Sequence, residues 1–416
     1  MRRVCILGGL RSYIGIENGM YRHVSAEQLG SHVLLETTEK YCIPVEDIDW
    51  VVAGNGVGAG GNLTRLMMLE AGFPEEIPGL TVDVQCGSGL EALAVAAAKI
   101  ESGLAEVVIA GGFESCSTKP VRIRNEHHPD YIEGVDNQYH VAKFAPGKPD
   151  ELAMLRSAEN TAQAWNMDKK RLDAFVVESH KKAAKAAREG RLQEILAAPL
   201  PACSNGREGG MEASNGFPGC SEAKPRSFPA VDEGIRPKMS GELLERLPFL
   251  VPGGKYITAG NACLTHDGAA FLVLCSKDYL KSHGLKERAQ VVDVVSAGGS
   301  PDRSPESILP AVDKLLLRNH LRAGDITAWE YNEAFAVLDV LMEEHFGRDT
   351  GRYNIFGGTL AYGHPYGASG GIITLHLLEA LKELDTPANN VKYGVAAVAA
   401  AGGIGTAMLV KQTYNC

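Results

Sequence analysis

Three side chains suited to acyl transfer stand at predicted strand ends: Cys86, Asn332 and His364. Cys86 lies in Thr81-Val82-Asp83-Val84-Gln85-Cys86-Gly87-Ser88-Gly89-Leu90, between a short apolar strand and a segment in which Leu90, Leu93, Ala94 and Ala97 recur at helical spacing. At such a turn the unpaired N–H groups and positive end of the helix favour a thiolate, and the flanking glycines let a thioester approach the backbone. Taken alone, a cysteine before an Ala-rich helix is also a small hydrophobe of the core. His364, in Gly363-His364-Pro365-Tyr366-Gly367, is a type of residue that accepts a thiol proton or polarises a carbonyl. Asn332, in Asn332-Glu333-Ala334-Phe335, is a type that holds a water or a carbonyl oxygen in place. Their plainer readings are a turn residue satisfying backbone groups and a cap for a helix starting near Ala334.

The elements that must bring these residues together alternate along the chain. Ser25-Ala26-Glu27-Gln28 is a capping box opening a helix to about Tyr41, Trp50 to Ala53 reads as a strand, and Leu63 to Ala71 as a helix. After the Cys86 strand and helix, Val107 to Ala110 is expected to enter a turn at Gly111-Gly112. From about Lys119 to Leu250 strand signals fade, and one long charged helix, roughly Asp168 to Gly190, dominates. Its Lys181, Lys182, Lys185 and Arg188 read as a solvated face, with ligand phosphates as the alternative. Cys203 to Cys220 reads as a surface excursion. The alternation then resumes: a strand from Ala289 to Val295, a helix opened by Ser304-Pro305-Glu306, a strand from Ile326 to Tyr331, helices after Ala334 and Gly367, and closing strands at Val395–Ala399 and Thr406–Lys411. This predicts an α/β chain with a parallel or mixed sheet covered by helices. Turns after the carboxyl ends of such strands are where ligands bind, so Asn332 and His364 are placed to converge on Cys86. Three regions follow: a first half over 1–118 completed by about 251–270, an inserted loop domain over 119–250, and a second half over 271–416.

The chain has 416 residues, 45% of them hydrophobic, which is enough to bury a sizeable core. Forty-one basic against fifty-one acidic residues give a formal charge of −10, which argues against nonspecific nucleic-acid binding. Nine dispersed cysteines without a CxxC pair or zinc spacing suggest reduced thiols in a cytoplasmic protein. The N-terminus reads as a strand and not as a secretion signal. The uncharged run Tyr393 to Val410 is broken by Gly402-Gly403-Ile404-Gly405, so it reads as a hairpin and not a membrane span.

Taken together, these stretches resemble the thiolase family through nearly the whole chain. Cys86-Gly87-Ser88-Gly89-Leu90 is similar to its nucleophile motif, Gly111-Gly112-Phe113-Glu114-Ser115 to its GG-x-ES stretch and Ser157-Ala158-Glu159-Asn160 to TAEN. Thr258-Ala259-Gly260-Asn261-Ala262, Asn332-Glu333-Ala334-Phe335 and Gly363-His364-Pro365 resemble its TAGNA, NEAF and GHP motifs in the same order. The resemblance implies a five-layer αβαβα fold from two similar halves. It also implies coenzyme A thioester substrates, no metal or redox cofactor, and a homodimer or homotetramer. By the same resemblance Cys86 would be acylated, His364 would activate it and line a first oxyanion hole, Asn332 would position the water of that hole, and the Cys86 N–H would help form a second.

The sequence also departs from the family. Where thiolases usually carry a second, acid–base cysteine, this chain has Ala399, and Ala401 replaces a glycine whose N–H completes the second oxyanion hole. A methyl group moves no proton, a loss typically worth about 10²–10⁴-fold. Cys263-Leu264-Thr265-His266-Asp267 replaces the usual S-G-x-N-D, and Ala153-Met154-Leu155 stands where H-M-G is common, which marks Cys263 and Met154 as pocket candidates. His266 is a candidate substitute base, with a polar turn residue as the plainer reading. The leading expectation is an acyl-CoA C-acyltransferase that makes or cleaves a β-ketoacyl-CoA. The alternatives are a decarboxylating condensing enzyme, which needs no α-proton abstraction, another acyltransferase, or a catalytically silent subunit.

Overall fold

A computed structural model describes residues 2–202, 226–263, 265–347, 351–385 and 391–413. The expected excursion from Cys203 to Cys220 lies outside them. The first half runs β1 (Val4–Arg11), α1 (Ala26–Lys40), β2 (Trp50–Gly54), α2 (Leu63–Glu70), β3 (Gly79–Val82), α3 (Ser88–Glu101) and β4 (Val107–Ser115). The chain then passes through α4 (Ala153–Ala164) and α5 (Lys169–Glu189) before β5 (His266–Ser276) returns it to the sheet. The second half runs β6 (Ala289–Gly298), α6 (Ile308–Arg318), β7 (Ala328–Tyr331), α7 (Val337–Phe346), α8 (Ser369–Glu383), β8 (Val391–Ala400) and β9 (Ile404–Thr413). Local chemistry sets the ends of these elements. Ser25 and Gln28 form the reciprocal capping box of α1. Asp168 caps α5, and Gly190, at φ +66°, closes it in the left-handed region.

The strands form one hydrogen-bonded path, β7-β8-β9-β6-β1-β5-β4-β2-β3, with a short strand Gly15–Ile16 beside β5. Outward from the join, the first half reads β1, β5, β4, β2, with β1/β5 and β5/β4 antiparallel and β4/β2 parallel. The second half reads β6, β9, β8, β7 with the same senses. The halves meet where Val4–Ile6 pairs antiparallel with Ala289–Val291. Each half therefore repeats one strand order, and only the first adds a further edge strand, β3.

Alternation along the strands builds three cores. Ala270, Leu272 and Leu274 of β5 and Ala396 and Val398 of β8 turn inward onto α3 and α8. Phe271 and Val273 face the opposite way, toward α1 and α2, and Val395 and Ala397 face α6 and α7. The result is a five-layer αβαβα arrangement with α3 and α8 in the middle layer.

Two local expectations are corrected. No turn occurs at Gly111-Gly112; β4 continues to Ser115. Those glycines serve close approach, since a Cβ on Gly111 would lie 1.9 Å from the carbonyl oxygen of Ala270 and one on Gly112 1.9 Å from that of Gly367. Ser304-Pro305 does not open α6 either. It lies within a 3₁₀ segment, Pro301–Ser307, in which the Ser304 hydroxyl donates to the Pro301 carbonyl, and α6 starts at Ile308.

Candidate active site

Cys86 occupies the tight turn between β3 and α3. Gln85, just before it, is a non-glycine residue at φ +51°, and the Gly87 and Ser88 N–H groups close the turn on the Val84 and Gln85 carbonyls. Ser88 braces it by accepting from the Val84 N–H and donating to the Gln85 carbonyl. The sulfur is buried and faces a cavity of about 240 Å³. The expectation of a thiolate favoured by the helix end is corrected: burial pushes the Cys86 thiol up to about 12. The backbone N–H groups of Ala401 and of Cys86 itself face the sulfur and pull in the other direction, without offsetting burial. Ionisation therefore needs a base at the moment of attack.

His364 lines the same cavity and is 2% exposed. Its Nδ1 lies 2.6 Å from Ser369 Oγ, which also lies 3.1 Å from the Pro365 carbonyl oxygen. When the hydroxyl donates to that carbonyl, Nδ1 is the donor and Nε2 carries a bare lone pair; among the described residues Nε2 has no hydrogen-bond partner. Burial, and next the neighbouring His266, lower its pKa to about 3, so the ring stays neutral at ordinary pH. A neutral imidazole with an unused lone pair in the cavity that holds the thiol is equipped to take the thiol proton.

Close backbone contact carries His364 to this position. The Gly367 carbonyl presses into a cradle of Gly54, Gly89 and Gly112, where an added Cβ would lie 2.7, 2.6 and 1.9 Å from that oxygen. Gly370 does the same for the helices, its added Cβ falling 2.0 Å from the Leu90 nitrogen. Glu114 ties the parts together: its carboxylate accepts from the N–H groups of Gly56, Val57 and Gly367 and from Asn55 Nδ2. Burial raises Glu114 to about 7, and the three backbone N–H groups hold it from rising further.

The structure separates the remaining candidates. Cys263, Met154, Ala399 and Ala401 line the Cys86 cavity, together with Phe335 and Tyr366. Asn332 does not. Its Oδ1 accepts from the Ala399 N–H at 3.0 Å and its Nδ2 donates to the Ala399 carbonyl at 3.2 Å, so the side chain grips the backbone of β8 just before Ala401. His266 is also outside: it begins β5, packs against Gly363 and lines a neighbouring cavity of about 680 Å³ with Arg236 and Lys238. Cys263 and Thr265 line one cavity, while Ala262 and His266 line the other. Neither cavity is lined by Lys181, Lys182, Lys185 or Arg188, and Lys182 is bound to the Tyr353 carbonyl and Glu178.

Sequence reasoning missed Ser369, which bonds to His364 Nδ1, and the clamp role of Glu114. A hydroxyl five residues after His364, inside the Gly-rich helix start, was the available signal for the first. For Glu114 a charged residue at the end of an apolar strand was the signal. The loop motifs also act structurally. Glu159 accepts from the Tyr256 and Ile257 N–H groups, and Asn261 donates to Asp173 and Tyr256. The Cys263 N–H then bonds to the Ala334 carbonyl at 2.8 Å, setting Cys263 against the Asn332–Phe335 turn.

Residues 4–278 match the family model described as thiolase, N-terminal domain, and residues 285–412 that described as thiolase, C-terminal domain. The chain belongs to the thiolase family. Among its relatives, the putative acetyl-CoA C-acetyltransferase VraB of Staphylococcus epidermidis is 32% identical over 416 residues, covering 100% of both chains. The protein of the same name in Staphylococcus aureus MSSA476 is 33% identical over 409 residues, covering 98% of this thiolase and 99% of its own length. The crystal structure of the Bacillus anthracis acetyl-CoA acetyltransferase superposes with a TM-score of 0.84 at 28% identity, covering 99% of each chain. That of human mitochondrial 3-ketoacyl-CoA thiolase gives 0.83 at 27% identity, again covering 99% of each.

Proposed function

We propose that this thiolase is an acyl-CoA C-acyltransferase that makes or cleaves a β-ketoacyl-CoA through an acyl group carried on Cys86. The observation that carries this reading is the pairing, in one cavity, of a buried thiol with a His364 Nε2 that has no hydrogen-bond partner among the described residues, with the Ala401 and Cys86 N–H groups aimed at the sulfur. His364 takes the thiol proton, Cys86 attacks the thioester or ketone carbonyl, and the two N–H groups stabilise charge on the carbonyl oxygen of the bound acyl group. Asn332 acts by holding the strand that presents Ala401. Membership of the thiolase family and relatives named as acetyl-CoA C-acetyltransferases support the coenzyme A thioester as substrate, with no further cofactor. Among the described residues no cluster of metal-ligating side chains and no helix long and apolar enough to cross a membrane occurs.

The same reading places the protein in the cytoplasm as a homodimer or homotetramer, with residues 119–250 as a loop domain inserted in the first half. Among the described residues β3 ends the sheet with an unpaired edge, and Val121, Ile123, Ile132 and Val135 are exposed hydrophobics in the loop region, both features that a second copy would cover. Light scattering on the purified protein tests the assembly, and a monomer would contradict it. For the chemistry, incubation with acetyl-CoA followed by intact mass measurement is expected to show one acetyl adduct that is lost in Cys86→Ala. No adduct with any of several acyl-CoAs would leave only the silent subunit. The Ala399 methyl in the cavity wall favours a second reading, decarboxylating condensation. Turnover with malonyl-CoA but not acetyl-CoA as extender would select it.

A further inference from the structure

Cleaving or forming a β-ketoacyl thioester requires two proton movements, one at the nucleophile and one at the substrate α-carbon or the incoming thiol. His364 accounts for the first, and the Ala399 methyl cannot supply the second. Of the other ionisable groups around the cavity, Tyr366 is held well above its ordinary value by burial, and the rest are committed or peripheral. Lys119 is paired with Glu17 at 2.8 Å, Arg122 donates to the Val57 and Gly58 carbonyls, and His140 and Glu151 are exposed at the rim. His266 belongs to the adjoining cavity.

Cys263 is different. It presents part of its surface to the cavity, and it is close enough to Cys86 for the two charges to repel. Its thiol donates to the Thr359 carbonyl at 3.0 Å, which fixes the sulfur and keeps its proton in place. Rotation about the Cβ–Sγ bond re-aims that proton without moving the sulfur. The backbone bond from its N–H to Ala334 pins the residue on the wall.

We propose that Cys263 is the second acid–base group of this thiolase. The proposal rests on the acyl-transfer reading above. In the cleavage direction Cys86, deprotonated by His364, bonds to the ketone carbon, the bond between that carbon and the α-carbon breaks, and the α-carbon takes the Cys263 thiol proton to leave as acetyl-CoA. The Cys263 thiolate then removes the thiol proton of coenzyme A. The coenzyme A sulfur bonds to the acyl carbon, and the Cys86 sulfur leaves and recovers the proton held by His364. Burial and the nearby Glu333 and Cys86 hold the Cys263 thiol well above its ordinary value, so it rests protonated and becomes a strong base once ionised.

The test uses Cys263→Ser, which keeps the size and the hydrogen bond to Thr359 and installs the family's usual residue. The acetyl adduct formed on Cys86 from p-nitrophenyl acetate, whose leaving group needs no proton, is expected to form at a rate within about threefold of wild type, while thiolysis of acetoacetyl-CoA falls by about 10²–10⁴-fold. Adding Ala399→Cys to Cys263→Ser is expected to restore thiolysis, which repair of packing alone would not do. An intact adduct with unchanged thiolysis would overturn the role of Cys263 and leave the acyl-transfer reading standing. Loss of both reactions would mark Cys263 as structural and overturn it as well. A wild-type chain that forms no adduct would remove the underlying reading itself.

Discussion

The turn leading into the central helix of the first half carries Cys86, and the turn leading into the central helix of the second half carries His364. The two halves share strand order and strand sense, yet the same topological place holds a thiol in one and an imidazole in the other. The surroundings differ to match. Around Cys86 backbone N–H groups face the sulfur; around His364 a serine takes one ring nitrogen, and among the described residues the second has no hydrogen-bond partner. A near-symmetric frame brings two helix starts face to face, and side-chain substitution at each makes one the nucleophile and the other its base.

Removing the first member of the pair should have the largest effect. Cys86→Ala is expected to abolish the acetyl adduct and lower turnover by on the order of 10⁴-fold or more, measured by intact mass and thiolysis assay. His364→Ala should slow acylation by about 10²–10⁴-fold while leaving the adduct attainable at long times. Because the ring protonates only near pH 3, rapid-quench acylation in wild type should show no imidazole limb between about pH 5 and 8. An acid limb near 6.5 would mean that His364 is not buried and neutral during the reaction.

Wedging the halves apart tests the cradle between them. Gly112→Ala places a methyl against the Gly367 carbonyl, and is expected to cost about 1–3 kcal/mol by overpacking, seen as a lower unfolding midpoint with slowed acylation. Asn332→Ala leaves the Ala399 N–H and carbonyl without their side-chain partners. A stability loss of about 1–3 kcal/mol is expected in denaturant titration, with a smaller drop in acylation rate as Ala401 loses its support. The smallest effect concerns pH. Burial raises Glu114 from its ordinary 4.5 to about 7, so folding favours its neutral form. Its contribution to stability is full below about pH 4.5 and declines as pH rises through about 7. The stability advantage of wild type over Glu114→Gln should therefore narrow across that range, and a widening gap would reverse the assignment.

Much of this frame is legible in the residues. The capping box at Ser25, the Asp168 to Gly190 helix and the placement of Cys86 between strand and helix rest on local spacing, which short-range sterics and hydrogen bonds enforce. The glycine pair in β4 was misread as a turn because a glycine that frees the backbone and one that admits a distant carbonyl look identical in sequence. Asn332 was expected at the cavity and grips β8 instead, since which partners a buried amide finds depends on the strand folded beside it. His266 and Cys263 lie three residues apart, yet the packing of the folded chain sends them to different cavities.

By itself the sequence determined the two-half α/β frame, the thiolase resemblance and the loss of a proton-transfer group at position 399, because these depend on residue type and order. Only the tertiary structure decided the state of the groups that remain. Burial of Cys86 keeps its thiol protonated, Ser369 holds Nδ1 of His364, and the Gly54, Gly89 and Gly112 cradle brings the two helix starts together. Desolvation and contact across hundreds of residues set those properties, and neither is written in local spacing.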